Sequence, residues 1–289
     1  MRVAVTGAGG FLGRPLIAAL AADEHVEEVV AIDLEPPPAN DGVRPVAGDV
    51  RDRGTARELD GVDVLVHLAA VVLGRGRGAW SVSVDGSRNL FDAMDGGAIV
   101  YASSAAAYGC LPDNPVPLTE DSPLRPEPAF YYPQTKVAVE QMLDEVDARV
   151  VRMRPTAILG PGAPALLGGR AFVSIAGFDP LMQFMWVDDA VAAFEAAIHE
   201  PVEGAFNIGA PDPVHATEVA GLLGARHLRL PRKVLRAGAR LTGMHPDWVD
   251  MTRYPIVADT SRAERELGWR ASCDTTTALR RFAAQEAPV

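Results

Sequence analysis

Six short apolar runs constrain this chain more than any other feature: "RVAVTG", "VEEVVAID", "VRPVAGD", "VDVLVHLAA", "GAIVYASS" and "ARVVRMRP", spread between residues 2 and 155. Helix-compatible stretches or short turns separate most of them. Each run reads as a buried strand. Strands that are apolar on both faces and joined by crossovers imply a parallel sheet covered by helices on either side. The expected fold class is therefore α/β, a doubly wound parallel sheet of the Rossmann kind. After Pro155 the rhythm breaks into the Gly- and Pro-rich "GPGAPALLGG", then resumes with the helical "VDDAVAAFEAAIHE" and the strand-like "AFNIG". Beyond Gly209 the pattern predicts mostly helix, over about 216–224, 232–242, 260–267 and 275–285. The expected organisation is a dinucleotide-type domain at 1–160, to which 184–210 returns, and a smaller, mostly helical substrate lobe made of 161–183 and 211–289.

Composition removes several function classes. The 27 basic against 38 acidic residues leave a net charge of −11, which argues against a broad nucleic-acid footprint or an anionic-membrane surface. No apolar run is long enough to suggest a membrane span, and "MRVAVTG" enters a strand directly, so no signal peptide is expected. Cys110 and Cys273 cannot form a disulfide framework, and neither they nor the six histidines show metal-ligand spacing, so no metal is expected and a reducing cytoplasm fits best. His67, at a buried strand end, reads as a satisfied core residue.

The first turn carries chemistry. "VTGAGGFLGRPL" places Gly7, Gly10 and Gly13, with Phe11 and Leu12 between the last two, directly after a strand and at the opening of a helix. Such a turn lets backbone amides approach a pyrophosphate at the positive end of the helix. Asp33 ends the next strand, where a carboxylate can accept from both ribose hydroxyls, and no arginine follows in Leu34, Glu35 or Pro36. This favours NAD over NADP. Asp49 and Val50, at the end of the third strand, could border an adenine; Asp49 alone reads more often as a turn residue.

"YYPQTK" at 131–136 offers a second motif. On a helix Tyr132 meets Lys136, one turn away, while Tyr131 meets Thr135. An ammonium beside a phenol favours the phenolate, one way to bring a tyrosine into range as an acid or base near neutrality. The hexapeptide by itself reads more readily as a capped helix start carrying a surface lysine.

The ordered set "TGAGGFLG", "GDVRD", "HLAA", "SSAAAYG", "YYPQTKVAVEQ", "RPTAILGPG", "VDDAV", "FNIG" and "SRAERELGW" resembles the extended short-chain dehydrogenase/reductase family, the NAD-dependent epimerase/dehydratases typified by UDP-galactose 4-epimerase, from residue 1 to about 280. The resemblance implies catalysis by Ser104, Tyr132 and Lys136, with Tyr131 left to packing. It implies that Leu68, Ala69, Ala70, Ser103 and Pro155, with Tyr132 and Lys136, border NAD. Ser103 is the competing hydroxyl, expected to face away from Ser104. The resemblance also implies a homodimer through helices at about 79–94 and 131–147. Ala105 and Ala106 stand where similar dehydratases, decarboxylases and a cysteine-dependent epimerase keep their acid-base groups, and Cys110 lies four residues too late, so it reads as a buried small residue. Ser83 replaces the family's usual Asn. What survives is oxidoreduction at a secondary alcohol or ketone, with a small-molecule substrate. The leading reading is a nucleotide-sugar 4-epimerase. One alternative is an NAD-dependent dehydrogenase or reductase of a non-nucleotide hydroxy or keto compound, favoured by the short segment between "GPG" and "VDD"; another is a catalytically silent NAD-binding sensor. Arg75, Arg77 and Arg170 are the candidate substrate contacts, suited to a phosphate or carboxylate.

Overall fold

The structure is a computed structural model that describes residues 1–72, 76–128, 130–163, 171–241 and 245–286. In chain order the strands are β1 (Arg2–Thr6), β2 (Glu28–Asp33), β3 (Val43–Ala47), β4 (Val64–His67), β5 (Ala98–Ala102), β6 (Arg149–Pro155), β7 (Ala157–Leu159), β8 (Ala171–Ile175), β9 (Leu181–Met182), β10 (Phe184–Trp186), β11 (Gly204–Ile208), β12 (Val214–His215) and β13 (Arg226–Leu230). The helices are α1 (Gly13–Ala22), α2 (Arg53–Ala56), α3 (Gly76–Trp80), α4 (Gly86–Phe91), α5 (Tyr131–Met142), α6 (Val187–His199), α7 (Ala216–Leu222), α8 (Arg232–Leu241), α9 (Asp247–Asp250), α10 (Ser261–Glu266) and α11 (Thr275–Glu286).

Seven strands form one parallel sheet in the order β11-β6-β5-β4-β1-β2-β3. All six expected runs are in it, and "AFNIG" supplies the seventh, at the β11 edge. Alternation along each strand explains why both faces are buried. Val3, Val5, Val29, Ala31, Val64, Val66, Val100 and Met153 pack on one face against Leu16 and Leu20 of α1 and Ala190, Phe194 and Ala197 of α6. The residues between them, Ala4, Val30, Ile32, Leu65, Ile99 and Val150, meet Leu90 and Phe91 of α4 and Val139 and Met142 of α5 on the other.

The later chain is less helical than its pattern predicts. The four expected helices form, but β13 pairs in parallel with β8, from Arg226 opposite Ala171 to Leu230 opposite Ile175. Its sequence, "RHLRL", buries neither face fully, so it lacks the apolar signature by which a strand is read. A separate apolar cluster built on Phe172, Phe184, Trp186, Val219, Leu279 and Phe282 joins β8, β10, α7 and α11. Thr275 locks α11 to β10: its hydroxyl accepts from the Phe184 amide (3.3 Å) and donates to the Phe184 carbonyl (3.2 Å). The helix expected over 79–94 starts at Gly76 and passes through a π turn at Ser81–Asp85 before α4. Among the described residues no helix is long and apolar enough to cross a membrane.

Candidate active site

Chain order in the sheet reverses between β1 and β4, and ligands of open α/β sheets bind at the carboxyl ends of the strands flanking such a switch. The two exit segments touch there: a Cβ on Gly7, which has φ +72°, would lie 2.8 Å from the Ala69 amide nitrogen. A Cβ on Gly13 would fall 2.2 Å from the Gly7 carbonyl oxygen. The turn therefore has no room for side chains. Leu12, at the N-cap of α1, offers no side-chain cap, and no acidic residue stands in the first turn. The Gly10 amide closes the turn on the Gly7 carbonyl (3.0 Å) and the Arg14 amide bonds the Gly10 carbonyl (3.2 Å), which leaves the amides of Phe11, Leu12 and Gly13 at the helix entrance to an anion. Asp33 accepts from the Gly9 amide (2.9 Å) and the Glu35 amide (3.2 Å), which uses one lone pair on each oxygen and leaves the others for hydroxyl donors. Loop and carboxylate thus fit the pyrophosphate and ribose of a dinucleotide.

Asp49 is occupied locally. The Arg51 guanidinium forks onto its carboxylate, with Nε 3.0 Å from one oxygen and 3.1 Å from the other, and holds its pKa below the usual carboxylate value. It makes a closed turn rather than an open edge. Val50 is buried against Gly86, and its carbonyl accepts from the Asn89 amide group (2.8 Å).

Beneath the cofactor crevice runs a chain of buried hydrogen bonds. The Ala69 amide donates to Thr6 Oγ1 (3.4 Å), Thr6 Oγ1 pairs with His67 Nδ1 (2.6 Å), His67 Nε2 pairs with Ser87 Oγ (2.8 Å), and Ser87 Oγ donates to the Ser83 carbonyl (2.5 Å). Because Ser87 gives its proton to a carbonyl, it must accept from the ring, which assigns the proton of neutral His67 to Nε2. Burial, helped by the Lys136 charge, pulls His67 down to about 3. The expected core role is what this geometry describes. Ser83 Oγ accepts from the Val71 amide (3.2 Å), so the serine in place of Asn pins the segment leaving β4. Leu68, Ala69 and Ala70 are partly buried on that segment, and Pro155 closes β6 opposite Ile208.

Three consecutive residues at the end of β5 meet three side chains of α5. The Ala102 carbonyl accepts from Lys136 Nζ (2.6 Å), Ser103 Oγ donates to Glu140 Oε1, and the Ser104 hydroxyl lies beside Tyr132. Ser103 and Ser104 thus part to different partners. Ser104 also caps the turn Ala105–Tyr108 by accepting from the Ala106 amide (3.1 Å). Lys136 is buried, 5.0 Å over the Tyr101 ring and 5.7 Å from the Tyr132 ring centre.

Burial lowers Lys136 to about 8, opposed by Glu140. Tyr132 departs from the expected direction: burial raises its pKa, opposed only by the Ser104 hydrogen bond. The ammonium is aimed at the Ala102 carbonyl over the ring face, so its field does not offset the desolvation of the phenolate. Tyr131 also differs from its expected packing role, being 37% exposed. Cys110 is buried as expected, and burial pushes its thiol up to about 11.

Facing Tyr132 is an aromatic wall without a local sequence signal. The Trp248 ring lies 5.4 Å from that of Tyr132 and 4.9 Å from Phe130, and His245 stacks on Phe130 at 5.5 Å. Trp248 Nε1 and, further along, Arg253 Nε are buried without a hydrogen-bond partner among the described residues. Arg253 lies 5.3 Å over Phe178 and 5.0 Å over Tyr254. These residues converge from segments more than a hundred positions apart, which hides them from a linear reading. Glu140, by contrast, could have been found, one helical turn after Lys136. Of the arginines expected at the substrate, Arg77 is exposed on α3, while Arg75 and Arg170 lie outside the described residues. Among the described residues no group of three or more His, Cys, Asp or Glu could hold a metal ion.

Comparison with known proteins places this geometry. Residues 3–209 match the model of the NAD dependent epimerase/dehydratase family. A 3-diazoavenalumate denitrifying reductase of Streptomyces is 30% identical over 93% of this chain and 96% of its own length. A ceramide reductase of Caulobacter vibrioides is 30% identical over 92% of this chain and 83% of its own length. The UDP-glucose 4-epimerase of Thermotoga maritima, solved with UDP-glucose, superposes with a TM-score of 0.78 at 18% identity and covers 98% of each chain. The chain belongs to the NAD-dependent epimerase/dehydratase family, the extended short-chain dehydrogenase/reductase enzymes whose cofactor is NAD.

Proposed function

We propose that this enzyme is an NAD-dependent reductase, or in reverse a dehydrogenase, acting on a non-nucleotide keto or hydroxy compound. The observation that carries the reading is the aromatic wall of Phe130, His245 and Trp248 set against Tyr132, with an indole N–H that has no partner among the described residues and suits a substrate oxygen. The two reductases similar to it over nearly their full length support it.

Bound NAD supplies the hydride donor or acceptor; the residues proposed to hold it are Gly7, Gly10, Phe11, Leu12 and Gly13 at the pyrophosphate, Asp33 at a ribose, and the stretch Leu68–Ala70 with Ser103 and Pro155 nearer the reacting end. Tyr132 gives its proton to the carbonyl oxygen as that oxygen becomes a hydroxyl, and its raised pKa keeps the phenol protonated for this task. Ser104 donates to the same oxygen and fixes its distance from Tyr132. Lys136, whose ammonium rests on the Ala102 carbonyl in this structure, would contribute positive charge to Tyr132 once the proton has left by turning toward the phenolate. Asp33 confers preference for NAD over NADP, because a carboxylate repels a 2′-phosphate. In this reading the enzyme acts in the cytoplasm as a homodimer through α3, α4 and α5, where Tyr131 is exposed.

The nucleotide-sugar 4-epimerase reading draws support from the shared fold of the Thermotoga enzyme. Following NADH absorbance with benzylacetone and an unbranched alkyl ketone, and separating the UDP-sugars chromatographically after incubation with UDP-glucose and NAD, distinguishes the two. The reductase consumes NADH with benzylacetone and leaves UDP-glucose untouched. Conversion of UDP-glucose to UDP-galactose with no ketone turnover would overturn the proposal.

A further inference from the structure

We infer that Glu140 is a positioning residue that keeps Lys136 charged, its carboxylate clamped between Ser103 and Arg154. The inference rests on the reading that Tyr132 and Lys136 serve proton transfer. Glu140 follows Lys136 by one helical turn, so both point to the same side of α5, and both are 4% exposed. Glu140 Oε1 accepts from Ser103 Oγ and from Arg154 Nε (3.0 Å), and Oε2 accepts from Arg154 Nη2 (2.6 Å). Arg154 Nη1 is spent on Tyr108 OH (2.8 Å) and the Glu120 carbonyl (3.0 Å). Tyr108 OH in turn donates to Asn207 Oδ1 (2.8 Å). The carboxylate cannot turn away without breaking bonds at both oxygens.

The register makes this more than a core ion pair. Ala102, Ser103 and Ser104 contact Lys136, Glu140 and Tyr132 in that order, so the strand end that places the two reacting groups also places the carboxylate. The groups around Lys136 are Tyr132 and Glu140 on α5, Tyr101 on β5 and neutral His67 on β4, with Arg154 of β6 behind Glu140. Of these Glu140 alone is an anion. Burial favours a neutral amine at Lys136, and the Glu140 charge is the influence that opposes it.

The chain has only two lysines, Lys136 and Lys233, and Lys233 is exposed. Lysine isotopically labelled at the ε carbon therefore gives two NMR signals, one a built-in control. In Glu140→Gln the Lys136 midpoint should fall by about one pH unit or more while that of Lys233 stays in place, and the alkaline limb of the NADH-dependent rate should move down with it. Arg154 left unpaired could prevent folding, so Glu140→Gln/Arg154→Met, which removes both buried charges, is measured in parallel and should show a smaller fall in the same direction, because the more distant Arg154 cation goes with the nearer anion. An unchanged Lys136 midpoint in either folded variant would overturn the inference. A fall in the midpoint combined with a Tyr132→Phe variant that still turns over would leave the inference standing and refute the catalytic reading.

Discussion

On the wall of the crevice built by β1, β2 and β4, polar atoms are paired within the fold: Asp33 with two amides, His67 with Thr6 and Ser87, Ser83 with the Val71 amide. On the opposite wall, reached by residues 130 and 245–254, aromatic rings predominate, and Trp248 Nε1 and Arg253 Nε are buried with no partner among the described residues. An unmade hydrogen bond in a buried setting costs about 1–3 kcal/mol, so in the proposed reading a substrate oxygen supplies the partner that Trp248 Nε1 lacks among the described residues. The first wall is shaped by internal bonds; the second, in the proposed reading, is shaped for a substrate.

Substitutions that breach the division should rank by which wall they damage. Gly13→Ala drives a methyl group into the Gly7 carbonyl and displaces the turn, so kcat/KM for NADH should drop by about 10²-fold or more; stopped-flow NADH binding checks it. Trp248→Phe keeps an aromatic ring and removes the N–H. The KM of any ketone found active should rise about tenfold, the worth of one hydrogen bond, with kcat and NADH affinity nearly unchanged. Equal loss of NADH affinity would merge the two walls into one site. Asp33→Ala should cost NAD about tenfold in affinity and abolish the preference over NADP in calorimetric titration; a wild type that binds both equally would contradict the assignment.

The smallest effect concerns pH. His67 is held at about 3 in the fold against an unfolded value near 6.5. Its neutral form therefore gives stability that is fully present above about pH 6.5 and is lost as the pH falls toward 3. Glutamine can accept from Thr6 and donate to Ser87 without titrating, so His67→Gln should flatten the acid decline in melting temperature by about 2–4 °C for each kcal/mol recovered. A parallel decline in both proteins would show that His67 is not the titrating group.

The two walls also differ in how far they can be read from the sequence. Gly7, Gly10, Gly13 and Asp33 lie within one strand-turn-helix-strand unit, where backbone geometry forces residue type, and all six sheet runs follow from alternation buried on both faces. Helical spacing pairs Tyr132 with Lys136, but their role and that of Ser104 come from the family resemblance rather than from spacing. The π turn at Ser81–Asp85 and the strand at Arg226–Leu230 could not, since neither depends on an apolar period. Trp248, His245 and Phe130 were invisible for a related reason: their meeting is set by how the later chain packs over α5, and each reads alone as an ordinary aromatic. The Tyr132 shift was misjudged because spacing shows that Lys136 is near but not that its ammonium is aimed at the Ala102 carbonyl.

The central claim is that the Tyr132 hydroxyl transfers the proton at the meeting of the two walls. Its most direct test is the steady-state rate with NADH and an active ketone for Tyr132→Phe beside Tyr131→Phe, each with its melting temperature. Tyr132→Phe should fold, bind NADH and lose about 10²- to 10⁴-fold in kcat, while Tyr131→Phe stays close to wild type. A Tyr132→Phe enzyme that keeps its rate, or a larger loss in Tyr131→Phe, would contradict it.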